Sequence, residues 1–430
     1  MKQACAWVSR IWWQAALALL AATILIPTIM TRGWAQAPPA ALTFTTLYTF
    51  TGLKDGAFPS AGLVQDSAGN LYGTTLIGGG STGCGTGGCG TVFKVSPTGV
   101  ETLLHIFTGG ADGATPYAGL IQDAAGNLYG TTVYGGGSTL CAFGCGTIFM
   151  VSSAGVETVL YSFTGGADGA NPKASLIRDA SGNLYGTAFA GGSGSCPGGC
   201  GVVFKLSPQG TETVLYAFTG GADGGNPKAG LIQDAAGNFY GTTFLRGGPK
   251  PCAWYGYGCG TVFELSPAGL ETVLYSFKGA ADGGNSEAGL IRDAAGNLYG
   301  TALNGGHSGY GAVFELSPTG TETVLYSFSN GTNGGNPNAG LIQDAAGNLY
   351  GTSFYGLSTG ICTGGCGTVF EVSSTGKETV LHSFAGGADG ANPSGSLIQD
   401  AAGNFYGTAS RGGSLATWPY GSGVVFKLAP

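Results

Sequence analysis

Residues 119–131 read Gly-Leu-Ile-Gln-Asp-Ala-Ala-Gly-Asn-Leu-Tyr-Gly-Thr, and residues 340–352 repeat them letter for letter. Five near copies bring the total to seven. Their tyrosines are Tyr72, Tyr129, Tyr185, Tyr240, Tyr299, Tyr350 and Tyr406, spaced 57, 56, 55, 59, 51 and 56 residues apart. A period this long and regular marks a propeller, a solenoid or an array. Each copy is followed by a glycine-rich loop, by a Gly-Thr-Val-Phe-x-Leu-Ser-Pro-like run, and by a Glu-Thr-Val-Leu-Tyr-Ser-Phe-like run. In the second copy this gives four short apolar runs, at 118–123, 128–133, 146–152 and 157–163. Gly-Asn and Ser-x-Gly turns separate the first pair and the last pair, which is hairpin punctuation. No helical period occurs after residue 40.

Seven four-stranded antiparallel units predict an all-β, seven-bladed β-propeller. The chain starts with a fourth-type strand, 42–50, and stops after a third-type strand, 423–428. These leftovers complement each other, so the N-terminal strand is expected to complete the last blade and close the ring. A β-solenoid is the alternative, but it would need capping units. The first strands begin with small pairs such as Ala61-Gly62, Ala118-Gly119 and Ala229-Gly230, as crowding around an axis requires.

The segment before the repeats is of another kind. Lys2 and Arg10 precede an almost wholly apolar run, and Ala35-Gln36-Ala37 offers a small-residue cleavage site. Residues 1–37 therefore read as a secretory signal peptide, residues 38–41 as a linker and 42–430 as one propeller domain. An uncleaved membrane leader is the alternative. Of 16 basic residues three leave with the leader, and against 23 acids this gives a mature charge of −10. That charge argues against nucleic acid and anionic membranes. Ten of the eleven cysteines fall into local pairs: Cys84/Cys89, Cys141/Cys145, Cys196/Cys200, Cys252/Cys259 and Cys362/Cys366. Zinc would need two more ligands per ion, and no histidine accompanies any pair. Disulfides in an oxidising compartment are expected, which places the protein outside the cell or in the envelope.

The repeat resembles the GloVer tandem repeat of exported bacterial "choice-of-anchor" proteins. The carrying residues are the Asp-Ala-Ala-Gly-Asn-Leu-Tyr-Gly-Thr cores at 123–131 and 293–301, and strands such as 260–267. The resemblance implies export and a propeller-like fold, and it brings no established activity or catalytic residues. This sequence runs into Leu428-Ala429-Pro430 within the last blade, so no C-terminal sorting tail is expected.

A residue found at one position in most repeats serves the blade, whereas one found once is free to serve a site. Asp66, Asp123, Asp179, Asp234, Asp293, Asp344 and Asp400 precede each Gly-Asn turn, where a side chain can accept backbone N–H bonds. Asp55, Asp112, Asp168, Asp223, Asp282 and Asp389 share an Asp-Gly loop, often Ala-Asp-Gly-x-Asn-Pro. Glu101, Glu157, Glu212, Glu271, Glu322 and Glu378 open the fourth runs. Glu264, Glu315 and Glu371 share a third-run position, and only Glu287 is left over. No singular carboxylate pair for acid–base work stands out. The Asp-Gly loops read as turns, with calcium the alternative. No metal site is expected elsewhere. His105 and His382 replace strand tyrosines, and only His307 lies in a variable loop.

In a propeller the second-to-third and fourth-to-first connections emerge on one face. Both are expected to be long and variable here and the opposite face carries tight turns, so binding is expected on the long-loop face. The candidate ligand-binding residues are Arg246, Trp254, Tyr255 and Tyr257 in the fourth blade, with Lys250 beside them, and Arg411, Trp418 and Tyr420 in the seventh. Aromatic rings beside polar groups suit sugar stacking or a protein hot spot, though they could equally plug neighbouring loops. The expected function is a monomeric, non-catalytic binding or structural module for a glycan or an envelope protein. A polysaccharide lyase or hydrolase working at the propeller axis is the alternative, with Arg246, His307 and Arg411 as its first residues.

Overall fold

The computed structural model describes residues 42–248, 252, 256–356 and 362–430. Residues 1–41, with the expected signal peptide and linker, and Lys250, Trp254 and Tyr255 lie outside them. The described chain forms seven antiparallel sheets, six of them with their four strands in the order of the sequence. In blade 2 the strands are Ile121–Gln122, Leu128–Thr132, Thr147–Val151 and Glu157–Ser162. The first strand is only two residues long because each chain segment before it is held at the axis by other contacts, described below.

The N-terminal strand Thr43–Thr49 pairs with Val424–Ala429, which pairs with Phe405–Arg411. It is the outer strand of blade 7, so the predicted closure holds. A short additional strand, Ala391–Pro393, also lies against Phe405–Arg411. In every blade the register slips between the third and fourth strands, as between Ile148 and Phe149 in blade 2. A bulge there increases the right-handed twist, which splays the outer edge of each blade.

The core lies between blades. The phenylalanine ending each fourth strand meets the third-strand phenylalanine of the next blade. The seven pairs are Phe50–Phe93, Phe107–Phe149, Phe163–Phe204, Phe218–Phe263, Phe277–Phe314, Phe328–Phe370 and Phe384–Phe426, with centroids 5.0–5.3 Å apart. All fourteen rings are fully buried. Each pair contributes about 0.5–1.5 kcal/mol beyond its area. The pairs also explain the glycine of each Tyr-Gly-Thr. A Cβ on Gly130 would lie 2.6 Å from Cζ of Phe149, and the same clash recurs in every blade.

Candidate functional site

The two faces of the ring are built differently. On one, the first-to-second and third-to-fourth connections are five-residue turns. Asp123 accepts bonds from the backbone N–H of Ala125 and Asn127, from Asn127 Nδ2 and from the Tyr129 hydroxyl, all within 3.0 Å. Partial burial pushes its carboxyl up, but these bonds outweigh that and leave it below the ordinary value. The seven aspartates of this class are thus structural.

On the other face the second-to-third loops run from 9 residues in blade 5 to 18 in blade 4. The fourth-to-first connections are long too, but all seven span 14 residues, so only one of the two loop sets varies in length. The constant set is clamped. Asp168 accepts from Tyr161 Oη (2.9 Å), Thr164 N (2.7 Å) and Thr164 Oγ1 (2.5 Å). Asn171 donates N–H to Cys145 O (2.7 Å) and Nδ2–H to Val133 O (2.8 Å), which ties the loop to the preceding blade. It does so at φ +53, a conformation asparagine tolerates. Among the described residues no cluster of three or more His, Cys, Asp or Glu is arranged to hold a metal ion.

All five expected disulfides form within the variable loops: Cys84–Cys89, Cys141–Cys145, Cys196–Cys200, Cys252–Cys259 and Cys362–Cys366. The second cysteine of each pair, Cys89, Cys145, Cys200, Cys259 or Cys366, is 0% exposed and belongs to the hydrophobic core between blades. The reason is position. Each is followed directly by the glycine that leads into the third strand, so it has already entered the ring. Cys84, by contrast, is exposed, and Cys141 and Cys362 are half-buried. The second cysteines are therefore packing residues out of reach of any ligand.

Four of the bridges pack beneath a glycine of the following connection. A Cβ on Gly109 would meet the sulfurs of Cys84 and Cys89 at 2.8 Å, and Gly165, Gly220 and Gly279 face their bridges likewise. Blade 7 has no cysteines. There a Cβ on the corresponding Gly52 would lie 2.7 Å from Trp418 Cδ1 and 2.5 Å from Ser422 Oγ. Trp418 also packs on Phe58, with centroids 5.4 Å apart. Its indole fills the slot that a disulfide fills elsewhere.

The other candidate residues divide by exposure. Arg411 lies 5.3 Å from the Tyr420 ring, and Tyr420 is 63% exposed. Arg246 lies 4.9 Å from the Tyr257 ring but is itself buried. Its φ of +67 falls where blades 1 and 2 have Gly78 and Gly135, so it holds a strained backbone. His307 is exposed in blade 5, and no contact joins it to Arg246 or Arg411. Sequence reading missed the blade 2 loop, where Phe143 is 74% exposed and edges onto Tyr134.

Sequence reading named the axis only as the place of the enzyme alternative and missed the residues that line it. Three residues per blade line an axial cavity of about 110 Å³, and the first of each three carries the larger polar groups: Ser60, Tyr117, Lys173, Lys228, Glu287, Asn338 and Ser394. Each lies within a clamped connection, four residues before the first strand, so the ring sits on the long-loop side. Two residues further along each chain segment the same cavity is lined by Gly62, Gly119, Ser175, Gly230, Gly289, Gly340 and Ser396. A Cβ on Gly62 would lie 3.1 Å from Ser396 O, so the small residues are required at the axis. Lys228 Nζ is 2.5 Å from Glu287 Oε1 and 3.5 Å from the centre of the Phe244 ring. Lys173 Nζ lies 3.8 Å over the Phe189 ring. Burial, then the charge of Lys228, bring the Lys173 amine down to about 8, against the opposing pull of Glu287. Burial, then Glu287, push the Tyr117 phenol up to about 12. The signal was present in sequence: Glu287 is the one acid outside the repeated classes, and its position differs between blades while its neighbours barely change.

The model of the Gloeobacter/Verrucomicrobia repeat matches residues 35–196, 81–252 and 252–430. No curated protein matches the chain. Among solved structures, one described as the extracellular domain of a one-component system from B. thetaiotaomicron is similar, at 12% identity and a TM-score of 0.53. The match covers 89% of this chain and 39% of that one. A gluconolactonase from Xanthomonas campestris is 15% identical with a TM-score of 0.42, over 90% of this chain and 89% of that one. At 12% identity the first of these speaks to the fold alone.

Proposed function

The chain belongs to the Gloeobacter/Verrucomicrobia repeat family, and we propose that it is an exported, non-catalytic binding propeller whose long-loop face recognises an extracellular or cell-surface glycan. The asymmetry between the faces carries this reading. Tight, fully bonded turns close one face, and every loop of variable length lies on the other. Rigid scaffolds with variable loops place recognition on those loops. Five disulfides fit an oxidising compartment. The exposed rings of Tyr257, Tyr420 and Phe143 offer stacking surfaces of the kind sugars use. Trp418 instead packs on Phe58 and over Gly52.

The test is a screen of the purified protein against diverse polysaccharides, followed by Tyr257→Ala and Tyr420→Ala. A specific polysaccharide should lose about tenfold or more in affinity in one or both variants, the scale of a stacking hot spot. A blank screen together with capture of a defined envelope protein would transfer recognition to that partner. Turnover of a bound polysaccharide would instead favour the lyase or hydrolase reading.

A further inference from the structure

The axial ring is the place where the repeat stops repeating. Around it, seven equivalent positions carry two lysines, a glutamate, a tyrosine, an asparagine and two serines. Their neighbours on either side are nearly invariant small residues and prolines. A ring that needed only to close would use one small residue seven times, as the lining positions two residues further along almost do.

Two groups in this ring lack partners of the right kind. Lys228 is paired with Glu287, but among the described residues Lys173 makes no ion pair. Its ammonium lies over the face of Phe189 and feels the like charge of Lys228 and, more weakly, the opposite charge of Glu287, which is already paired with Lys228. Asn338 Oδ1 is buried without a hydrogen-bond donor. A ligand that satisfies both must present an anionic acceptor to the lysine and a hydroxyl donor to the amide oxygen. The Lys228–Glu287 pair and the Tyr117 hydroxyl add further donors and acceptors around the same space. We propose that the axial cavity is a binding site for a sugar acid, with Lys173 pairing its carboxylate and Asn338 and Glu287 accepting its hydroxyls.

The cavity has room for a group of several non-hydrogen atoms, at ~10–15 Å³ for each water-sized unit. Tyr117 at its rim is 36% exposed, whereas a Cβ on Gly62, Gly119 or Gly230 would meet neighbouring backbone. Entry is therefore end-on from the long-loop side, which selects a terminal uronate whose remaining sugars extend over the loops. This deepens the glycan reading of that face and rests on it.

Calorimetry on the purified protein separates the cases. The probes are free glucuronate, an oligosaccharide ending in glucuronate, the same oligosaccharide ending in glucose, and an acidic peptide. The acid-ended oligosaccharide should bind about tenfold or more tighter than its glucose-ended twin. Free glucuronate should compete weakly for the same site. Lys173→Met should erase the preference without moving the melting temperature, and Lys173→Arg should restore much of it. Equal binding of the two oligosaccharides overturns the proposal, as does a preference that survives Lys173→Met or an acidic peptide that competes as well as the sugar. If no glucuronate probe binds while neutral glycans still do so through Tyr257 and Tyr420, the axial site fails and the loop face stands. If no glycan binds at all, both fail.

Discussion

At the scale of single residues, the most telling comparisons are between a blade and its neighbours. Five blade entries carry the clamping asparagine, as Asn171, Asn226, Asn285, Asn336 and Asn392, and all five donate Nδ2–H to a carbonyl of the preceding blade. The other two carry Phe58 and Thr115 at the same positive φ, +59 and +56. Thr115 still donates its N–H to Cys89 O, at 2.8 Å, as Asn171 does to Cys145 O. Only the side-chain half of the clamp is missing. Thr115→Asn should therefore stabilise the fold by about 1 kcal/mol, through one new bond and easier access to the left-handed region. A urea titration that leaves the slope unchanged and moves the midpoint upward is the expected result. An unchanged midpoint would mean that the second bond is redundant. The role of the Ala-Asp-Gly-x-Asn-Pro loop as a turn was legible from Asp and Asn chemistry alone. The partner of its asparagine was not, because that carbonyl lies some forty residues away in another blade.

At the scale of elements, repetition made the strands readable and hid what replaces them. Each blade's second, third and fourth strands lie within about a residue of the positions that the turns dictate. The first strands are shorter than their apolar runs, since most of each run packs at the axis instead of pairing. The pairing of cysteines followed from their proximity. The slot they fill is a tertiary feature, so the burial of Cys200, Cys259 and Cys366 was not legible from spacing. For the same reason Trp418 read as a recognition residue, when its indole stands where a bridge stands in other blades. Blade 7 shows that the slot can be filled without sulfur. Replacing Cys141 and Cys145 together by alanine should thus leave the β-sheet circular dichroism unchanged. It should lower stability by about 2 kcal/mol, the chain-entropy value for so short a loop. Loss of the sheet signal would show instead that the bridge is needed to form the blade. The axial ring was illegible for a related reason. Its members are roughly one repeat apart in sequence, and only closure brings seven such positions to one cavity.

At the scale of the whole molecule, the carboxyls form two opposed sets whose balance fixes the pH of greatest stability. Asp66 and its six equivalents are partly buried, yet the bonds from the Asn, Tyr and backbone N–H groups around them hold them below the ordinary 3.8. An acid lowered by folding stabilises above its unfolded pKa, and that contribution disappears as the pH falls through the folded value. The outer glutamates behave in the opposite way. Burial first, then the aspartate of the neighbouring loop, push Glu101, Glu157, Glu212, Glu271 and Glu322 from 4.5 up to about 7. Burial does the same to Glu378, where Asn333 stands in place of the aspartate. An acid raised by folding stabilises while both states are protonated, and stability falls as the pH climbs from the unfolded to the folded value. Acid weakens the turns on one face, and neutrality strains the outer rim. The melting temperature should accordingly peak near pH 4–5 and fall by several degrees by pH 8. Each glutamate contributes about 1–3 °C after allowance for its partial exposure. The blade 6–7 junction escapes this strain, because Phe44 occupies the glutamate position and stacks on His382 with centroids 4.0 Å apart. Glu212→Gln, at the junction of blades 2 and 3, should copy that immunity. It should raise the melting temperature at pH 8 and leave it nearly unchanged at pH 5. A profile flat from pH 5 to 8 in the parent protein would show that the rim glutamates ionise freely in the folded ring.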